Sequence, residues 1–150
     1  MNHEHSYRKL IWMALLSFVV MYMLMYAMVD SFSNVFPNHN QFYMAGLMAS
    51  PMLLLELWIM RTMYLNKKMN TLIILIALIF FVGFWFGVRQ QIAINDEQFL
   101  KSMIPHHASA ILMCNESNIE DLEIKELCQN IVFGQQSEID FMKEKLNSLR

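Results

Sequence analysis

The chain has 150 residues, of which 56% are hydrophobic, and a formal net charge of −2. A mean hydropathy of +0.32 is too high for an ordinary small soluble domain, so that class is excluded. A pI near 6.2 leaves no basic surface of the kind that nucleic-acid binding needs. We therefore expect a lipid bilayer, and no nucleic acid, among the partners.

Three apolar segments fill the first part of the chain, at residues 10–29, 42–60 and 71–88. About 20 residues of helix cross a hydrocarbon core of roughly 30 Å, so each segment predicts a transmembrane helix. The second segment contains Pro51, which removes a backbone donor, and the carboxylate Glu56. Glu56 is either a proton or cation site near Met52, or a group that pairs with Arg61 or stays protonated close to the interface.

Basic residues predict the orientation of these spans, because Lys and Arg are enriched in cytoplasmic segments. They precede the first span and fill the link between the second and third spans: Arg8, Lys9, Arg61, Lys67 and Lys68. We expect a multi-pass protein of an inner or plasma membrane. Its N-terminus would be cytoplasmic and its C-terminal part periplasmic or extracellular.

The composition changes after Ile94, which divides the chain into a membrane domain, residues 1–94, and a polar helical domain, residues 95–150. Asn95, with Gln98 three positions later, predicts one helix start, and Asp121 predicts another. Apolar residues at helical spacing predict two antiparallel helices. One stripe comprises Phe99, Met103, His106, Ala110 and Met113, and the other Ile124, Leu127, Cys128, Ile131, Gln135, Ile139, Met142 and Leu146.

Soft ligand types cluster on the first of these helices. Met103, His106, His107, Met113 and Cys114 lie within four turns. Thioether, imidazole and thiolate groups together favour Cu(I), with zinc as a second candidate. The competing interpretation is structural: one histidine is buried against Gln135 or Glu138, and the other faces solvent.

The two cysteines, Cys114 and Cys128, would meet only if the helices pair in the right register. A fold about Ile119 places Cys128 opposite Ile111, so a disulfide is allowed but not favoured, and free thiols or metal ligands are the alternatives.

Methionines form two further stripes in the outer halves of the first two spans: Met21, Met25 and Met28, and Met44, Met48 and Met52. They would line an entry for a soft metal ion, or simply fill a core.

Residues 96–150 resemble the DUF305 family through Met103-Ile104-Pro105-His106-His107 and through the Gln135, Glu138-Ile139 and Met142 pattern. The resemblance implies a ferritin-like helical bundle, with copper binding or copper tolerance in some members. It also implies a site formed by Met103, His106, His107, Met113 and Met142. A full four-helix bundle needs two hairpins, and this chain supplies one.

These patterns predict an all-α protein with three transmembrane helices and an extramembrane helical hairpin, which is half of a ferritin-like four-helix bundle. The expected function is Cu(I) capture or copper tolerance, with a homodimer completing the bundle. An interaction module without metal is the alternative. We expect no enzyme, since neither a nucleophile motif, a phosphate-binding loop nor a cofactor motif is present, and a membrane oxidoreductase has the least support.

Overall fold

The structure is a computed structural model that describes the backbone of residues 3–149 and the side chains of residues 6–149. This part of the chain contains five α-helices and no strand, which confirms the all-α class. The helices are α1 His3–Leu24, α2 His39–Ile59, α3 Lys67–Arg89, α4 Asp96–Glu116 and α5 Leu122–Ser148. Two short 3-10 helices, Met25–Met28 and Phe32–Asn34, lie between α1 and α2.

The chain forms two compact units. The first, the three-helix unit, contains the chain up to Met25 together with Asn40–Ile92. The second, the hairpin unit, contains Tyr26–His39 and the chain from Ala93 onward. The segment before α2 thus belongs with the hairpin, although the sequence analysis placed residues 26–29 in the first span.

All three helices of the three-helix unit are long and apolar enough to cross a membrane. The mean hydropathies are 2.1 for Ser6–Met28, 1.5 for His39–Ile59 and 2.7 for Lys67–Arg89. Length and composition therefore agree with the predicted spans.

Small residues allow α2 and α3 to approach closely. A Cβ atom added to Gly46 would lie 2.4 Å from the Phe84 ring, and one added to Gly87 would lie 3.0 Å from the Tyr43 ring. Ala45, Ala49 and Ala77 are buried as well. Such contacts are typical of membrane helices, whose association depends on packing because lipid offers no hydrophobic driving force between them.

A polar cluster closes one end of the three-helix unit. The Tyr7 hydroxyl donates to Asn70 Oδ1 at 2.7 Å, and Asn70 Nδ2 donates to the Tyr64 carbonyl at 2.7 Å. The Tyr64 hydroxyl donates to Glu56 Oε1 at 3.3 Å. Burial raises the pKa of Tyr64, and the Glu56 carboxylate raises it further. The hydrogen-bond partner of Glu56 is therefore Tyr64, whereas the sequence had pointed to Met52 or Arg61.

In the hairpin unit, α4 and α5 pack along their lengths. The hairpin core consists of Leu100, Ile104, Ala108, Ile111, Ile139, Met142 and Leu146. Both predicted helix starts are confirmed, because Asn95 Oδ1 accepts from the Gln98 amide at 2.9 Å and Asp121 Oδ1 accepts from the Ile124 amide at 3.0 Å. Capping satisfies amides that a helix leaves unpaired at its N-terminus.

The segment Tyr26–His39 forms a third layer on the hairpin. Val29 and Phe36 pack against the hairpin core. Asn38 Nδ2 donates to the Lys101 carbonyl at 3.4 Å, and the His39 amide donates to Gln98 Oε1 at 3.0 Å. Gln98 therefore binds this segment through its side-chain carbonyl.

Candidate metal-binding site

Helix α4 presents two different faces. The face against α5 carries Leu100, Ile104, His107 and Ile111, all of which are buried. The predicted stripe of Phe99, Met103, His106, Ala110 and Met113 borders this face, and we call it the open flank. Met103, at its edge, is half-buried and packs against the hairpin core. Phe99 and Met113 are each 51% exposed, and His106 is also exposed. The expectation that a partner helix of the same chain covers this stripe is therefore wrong for Phe99, His106 and Met113. Met103 and Ala110 are half-buried.

His107 belongs to the covered face and is 7% exposed. Its Nδ1 lies 2.9 Å from the Met103 carbonyl oxygen. A carbonyl oxygen can only accept, so Nδ1 carries a hydrogen and donates it. Its Nε2 lies 2.5 Å from Glu138 Oε2, where a proton must lie between the two atoms. Both ring nitrogens thus have hydrogen-bond partners within the chain.

His106 points away from that pair. Its ring centroid is 6.0 Å from the centroid of His107, and its side chain is exposed. Met103 lies three residues earlier, a spacing that places side chains next to each other on a helix. The open flank thus carries one imidazole and one thioether at neighbouring positions.

The remaining predicted ligands lie in other environments. Met142 is buried in the hairpin core at 7% exposure, whereas Met113 is on the open flank. Among the described residues, no group of three or more His, Cys, Asp or Glu side chains could hold a metal ion.

Cys114 forms a disulfide with Cys128, and their Cα atoms are 5.3 Å apart. The expectation of Cys114 as a thiolate ligand is therefore wrong for this oxidised form, and so is the register that disfavoured the bond. The predicted register assumed a turn centred on Ile119. The helices pair instead about a later point, as the contact between His107 and Glu138 also shows.

The methionine stripes of the spans are only partly regular. Helix α1 ends at Leu24 and Met25–Met28 is a 3-10 helix, so the α-helical spacing on which the first stripe depended does not persist. In α2, Met44 and Met52 are half-buried and Met48 is 38% exposed. No single methionine-lined face follows from these positions.

Sequence reasoning missed the part that Tyr26–His39 plays in supporting α4. A signal was present, because Val29 and Phe36 are apolar residues within a stretch of turn-forming Asn, Ser and Pro. It also missed Gly134 on α5, where an added Cβ would meet no atom within 4 Å.

Comparison with known proteins gives two matches. Residues 88–146 match the family described as "Domain of unknown function (DUF305)". The chain is also 33% identical to "Uncharacterized protein L153" of Acanthamoeba polyphaga mimivirus over 138 residues, which are 90% of this chain and 89% of that protein. No solved structure matches. The chain therefore belongs to one family with the mimivirus protein and carries a DUF305 domain that covers α4 and most of α5.

Proposed function

We propose that this chain is a membrane-anchored, extracytoplasmic protein that captures Cu(I), as in copper tolerance, and is not an enzyme. The observation that carries the proposal is that the half-buried Met103 and the exposed His106 lie one helical turn apart on the open flank. Thioether and imidazole groups suit Cu(I). Zinc is the weaker candidate, because zinc sites are built from Cys, His and carboxylates.

His106 is the imidazole of this proposed site. The Nδ1 of His107 is held by the Met103 carbonyl and its Nε2 by Glu138, so metal binding at Nε2 would require the contact with Glu138 to break. Met113 lies two turns beyond His106, about 10 Å along the helix, which is too far for one ion to reach both within one chain. One chain therefore supplies two ligands to each ion.

A second copy of the chain would supply the others. His107 lies one turn from both Met103 and Ala110, which belong to the open flank. Its hydrogen-bond partner Glu138 therefore lies on the side of α5 that borders the open flank. Gly134 and Phe141, each one turn from Glu138, extend that border. Phe141 is 65% exposed, and Gly134 faces open space. Two such surfaces about a twofold axis would bring both Met103 and His106 pairs into one four-helix bundle.

An interaction module without metal is the second candidate. The contact of His107 with Glu138 favours it, because the more buried histidine of the motif has a structural role. The open flank would then be a docking surface, and its methionines would act as adaptable apolar contacts.

Titration of the purified chain in mild detergent with Cu(I), kept reduced by ascorbate against a competing chelator, separates the two candidates. The double variant Met103→Leu with His106→Gln should weaken binding at least tenfold, which corresponds to about 1.4 kcal/mol. Met48→Leu in α2 is the matched control and should leave the affinity unchanged. Absence of Cu(I) binding by the native chain would favour the interaction module, and loss of affinity only in His107→Gln would overturn the assignment to His106.

Mass measurement in the same detergent tests the dimer. Gly134→Trp adds bulk that a single chain accommodates, since nothing lies near the Cβ position. It should convert a dimer to monomers, whereas Gln136→Trp, at an exposed position outside the Glu138 border, should not. A native chain that is monomeric at micromolar concentration and still binds Cu(I) would refute the dimer.

The proposed orientation places the hairpin unit outside the cytoplasm, on the argument from basic residues. Both native cysteines are bonded to each other, so a cysteine introduced at Ser148 is the only expected thiol. An impermeant thiol reagent should label it on intact cells, and labelling only after lysis would reverse the orientation.

A further inference from the structure

The Cys114–Cys128 disulfide lies in an open cleft of about 590 Å³. Both cysteines are only partly buried. Polar groups line the cleft together with three apolar side chains, Ile119, Val132 and Phe133. Phe133 is 80% exposed, a large apolar surface to leave in water. A disulfide that only stabilises a fold is usually enclosed, whereas this one is open to an attacking thiolate.

We infer that the Cys114–Cys128 disulfide is a thiol–disulfide exchange site, and that its cleft receives a dithiol protein that reduces it. The inference does not depend on metal binding. The expected reductant is a protein and not a small thiol, because Phe133 provides an apolar contact surface that a small thiol is too small to cover.

The two sulfur atoms differ in their surroundings. Cys114 lies in the last turn of α4, where unpaired carbonyl groups disfavour negative charge. Cys128 lies in the second turn of α5, and Lys125, which also lines the cleft, precedes it by one turn. A lysine beside a sulfur atom stabilises the thiolate. Cys128 is therefore the better leaving group, and the attack falls on Cys114.

The reaction then has two steps. A thiolate of the dithiol protein attacks Cys114 Sγ, the Cys114–Cys128 bond breaks, and Cys128 leaves as a thiolate that takes up a proton. The second thiol of the dithiol protein loses its proton and attacks that protein's first sulfur, which is bonded to Cys114 in the mixed disulfide. This attack releases Cys114 as a thiolate. Two electrons pass from the dithiol to the protein disulfide, and the partner ends as a disulfide.

Reduction rates of the detergent-solubilised full chain test the inference, with thioredoxin and dithiothreitol as the two probes. We expect the native disulfide to react with dithiothreitol within about tenfold of the rate in the unfolded chain, because it is accessible. Phe133→Ala should slow reduction by thioredoxin several-fold without changing the dithiothreitol rate. Leu122→Ala, which removes an equally exposed apolar side chain outside the cleft, is the matched control. A native disulfide that reacts with neither probe would overturn the inference.

A further variant tests whether the charge of Lys125 assists Cys128 as the leaving group. Lys125→Gln should slow both probes about threefold, as expected for the loss of one exposed charge, and Lys145→Gln on the same helix should not. An equal effect of the two variants would remove Lys125 from the mechanism.

Trapping identifies the attacked sulfur. Thioredoxin that lacks its resolving cysteine should stop at the mixed disulfide, and trypsin then separates residues 102–125, with Cys114, from residues 126–143, with Cys128. We expect thioredoxin on the Cys114 peptide. Its appearance on the Cys128 peptide would contradict the assigned direction, and failure to trap any adduct during reduction would contradict direct exchange.

Discussion

The three-helix unit and the hairpin unit differ in the size of the side chains that they bury between their helices. In the three-helix unit most buried positions of α2 and α3 are small residues, and most large apolar side chains are exposed, with Leu10 and Leu57 as buried exceptions. In the hairpin unit branched aliphatic side chains such as Ile104 and Ile139 are completely buried. The difference is the one expected if lipid surrounds the first unit and water the second, since lipid accepts apolar side chains that water excludes.

The share of each span that is buried within the chain supports this contrast. It is 28% for α2 but only 6% and 11% for the spans of α1 and α3. Helix α2 is therefore the central helix of its unit, and it carries Gly46, Ala49 and Ser50 where it is covered.

The largest expected effect concerns the hairpin core. Ile139→Ala should destabilise the hairpin unit by about 2–5 kcal/mol, because it removes a fully buried side chain and leaves a cavity. Ile124→Ala on the same helix is the matched control, since Ile124 is 49% exposed. Hydrogen exchange of α4 and α5 peptides in the full chain measures both. Equal protection in the two variants would mean that the hairpin core is not what stabilises this unit.

A smaller effect is expected in the three-helix unit, where a substitution must add atoms to be harmful. Gly46→Ala should destabilise this unit by about 1–3 kcal/mol, the usual cost of overpacking, because the new Cβ meets the Phe84 ring. Gly83→Ala in α3 has open space and should be neutral or slightly stabilising. Thermal unfolding in detergent, followed by tryptophan fluorescence, compares them. If both variants melt alike, the close approach of α2 and α3 is not required.

The smallest expected effect on stability concerns the buried His107 and its hydrogen-bond partner Glu138. Glu138→Ala should cost about 1 kcal/mol, because His107 Nε2 loses its hydrogen-bond partner but water can reach the exposed carboxylate position. Glu144→Ala, at an exposed position on α5, should cost less. The same hydrogen-exchange measurement applies. A larger loss from Glu144→Ala would show that His107 does not depend on Glu138.

The sequence predicted more of the fold than of the candidate site. Asn95 and Asp121 were identified as helix starts because capping is a local interaction between a side chain and an amide three residues later. The sequence did not show which of His106 and His107 is buried. Which of two adjacent residues faces a partner helix depends on the rotation of α4 against α5, and no local interaction sets that rotation.

By itself, the sequence determined the all-α class, the three apolar helices and the polar helical hairpin, because hydropathy and helical spacing are properties of consecutive residues. Only the tertiary structure decided which face of α4 is covered, that Cys114 meets Cys128, and that Tyr26–His39 packs on the hairpin. Each of these depends on the register between segments distant in the chain. A shift of one helical turn between α4 and α5 leaves the sequence pattern intact and changes every contact that His107 and Cys114 make with α5.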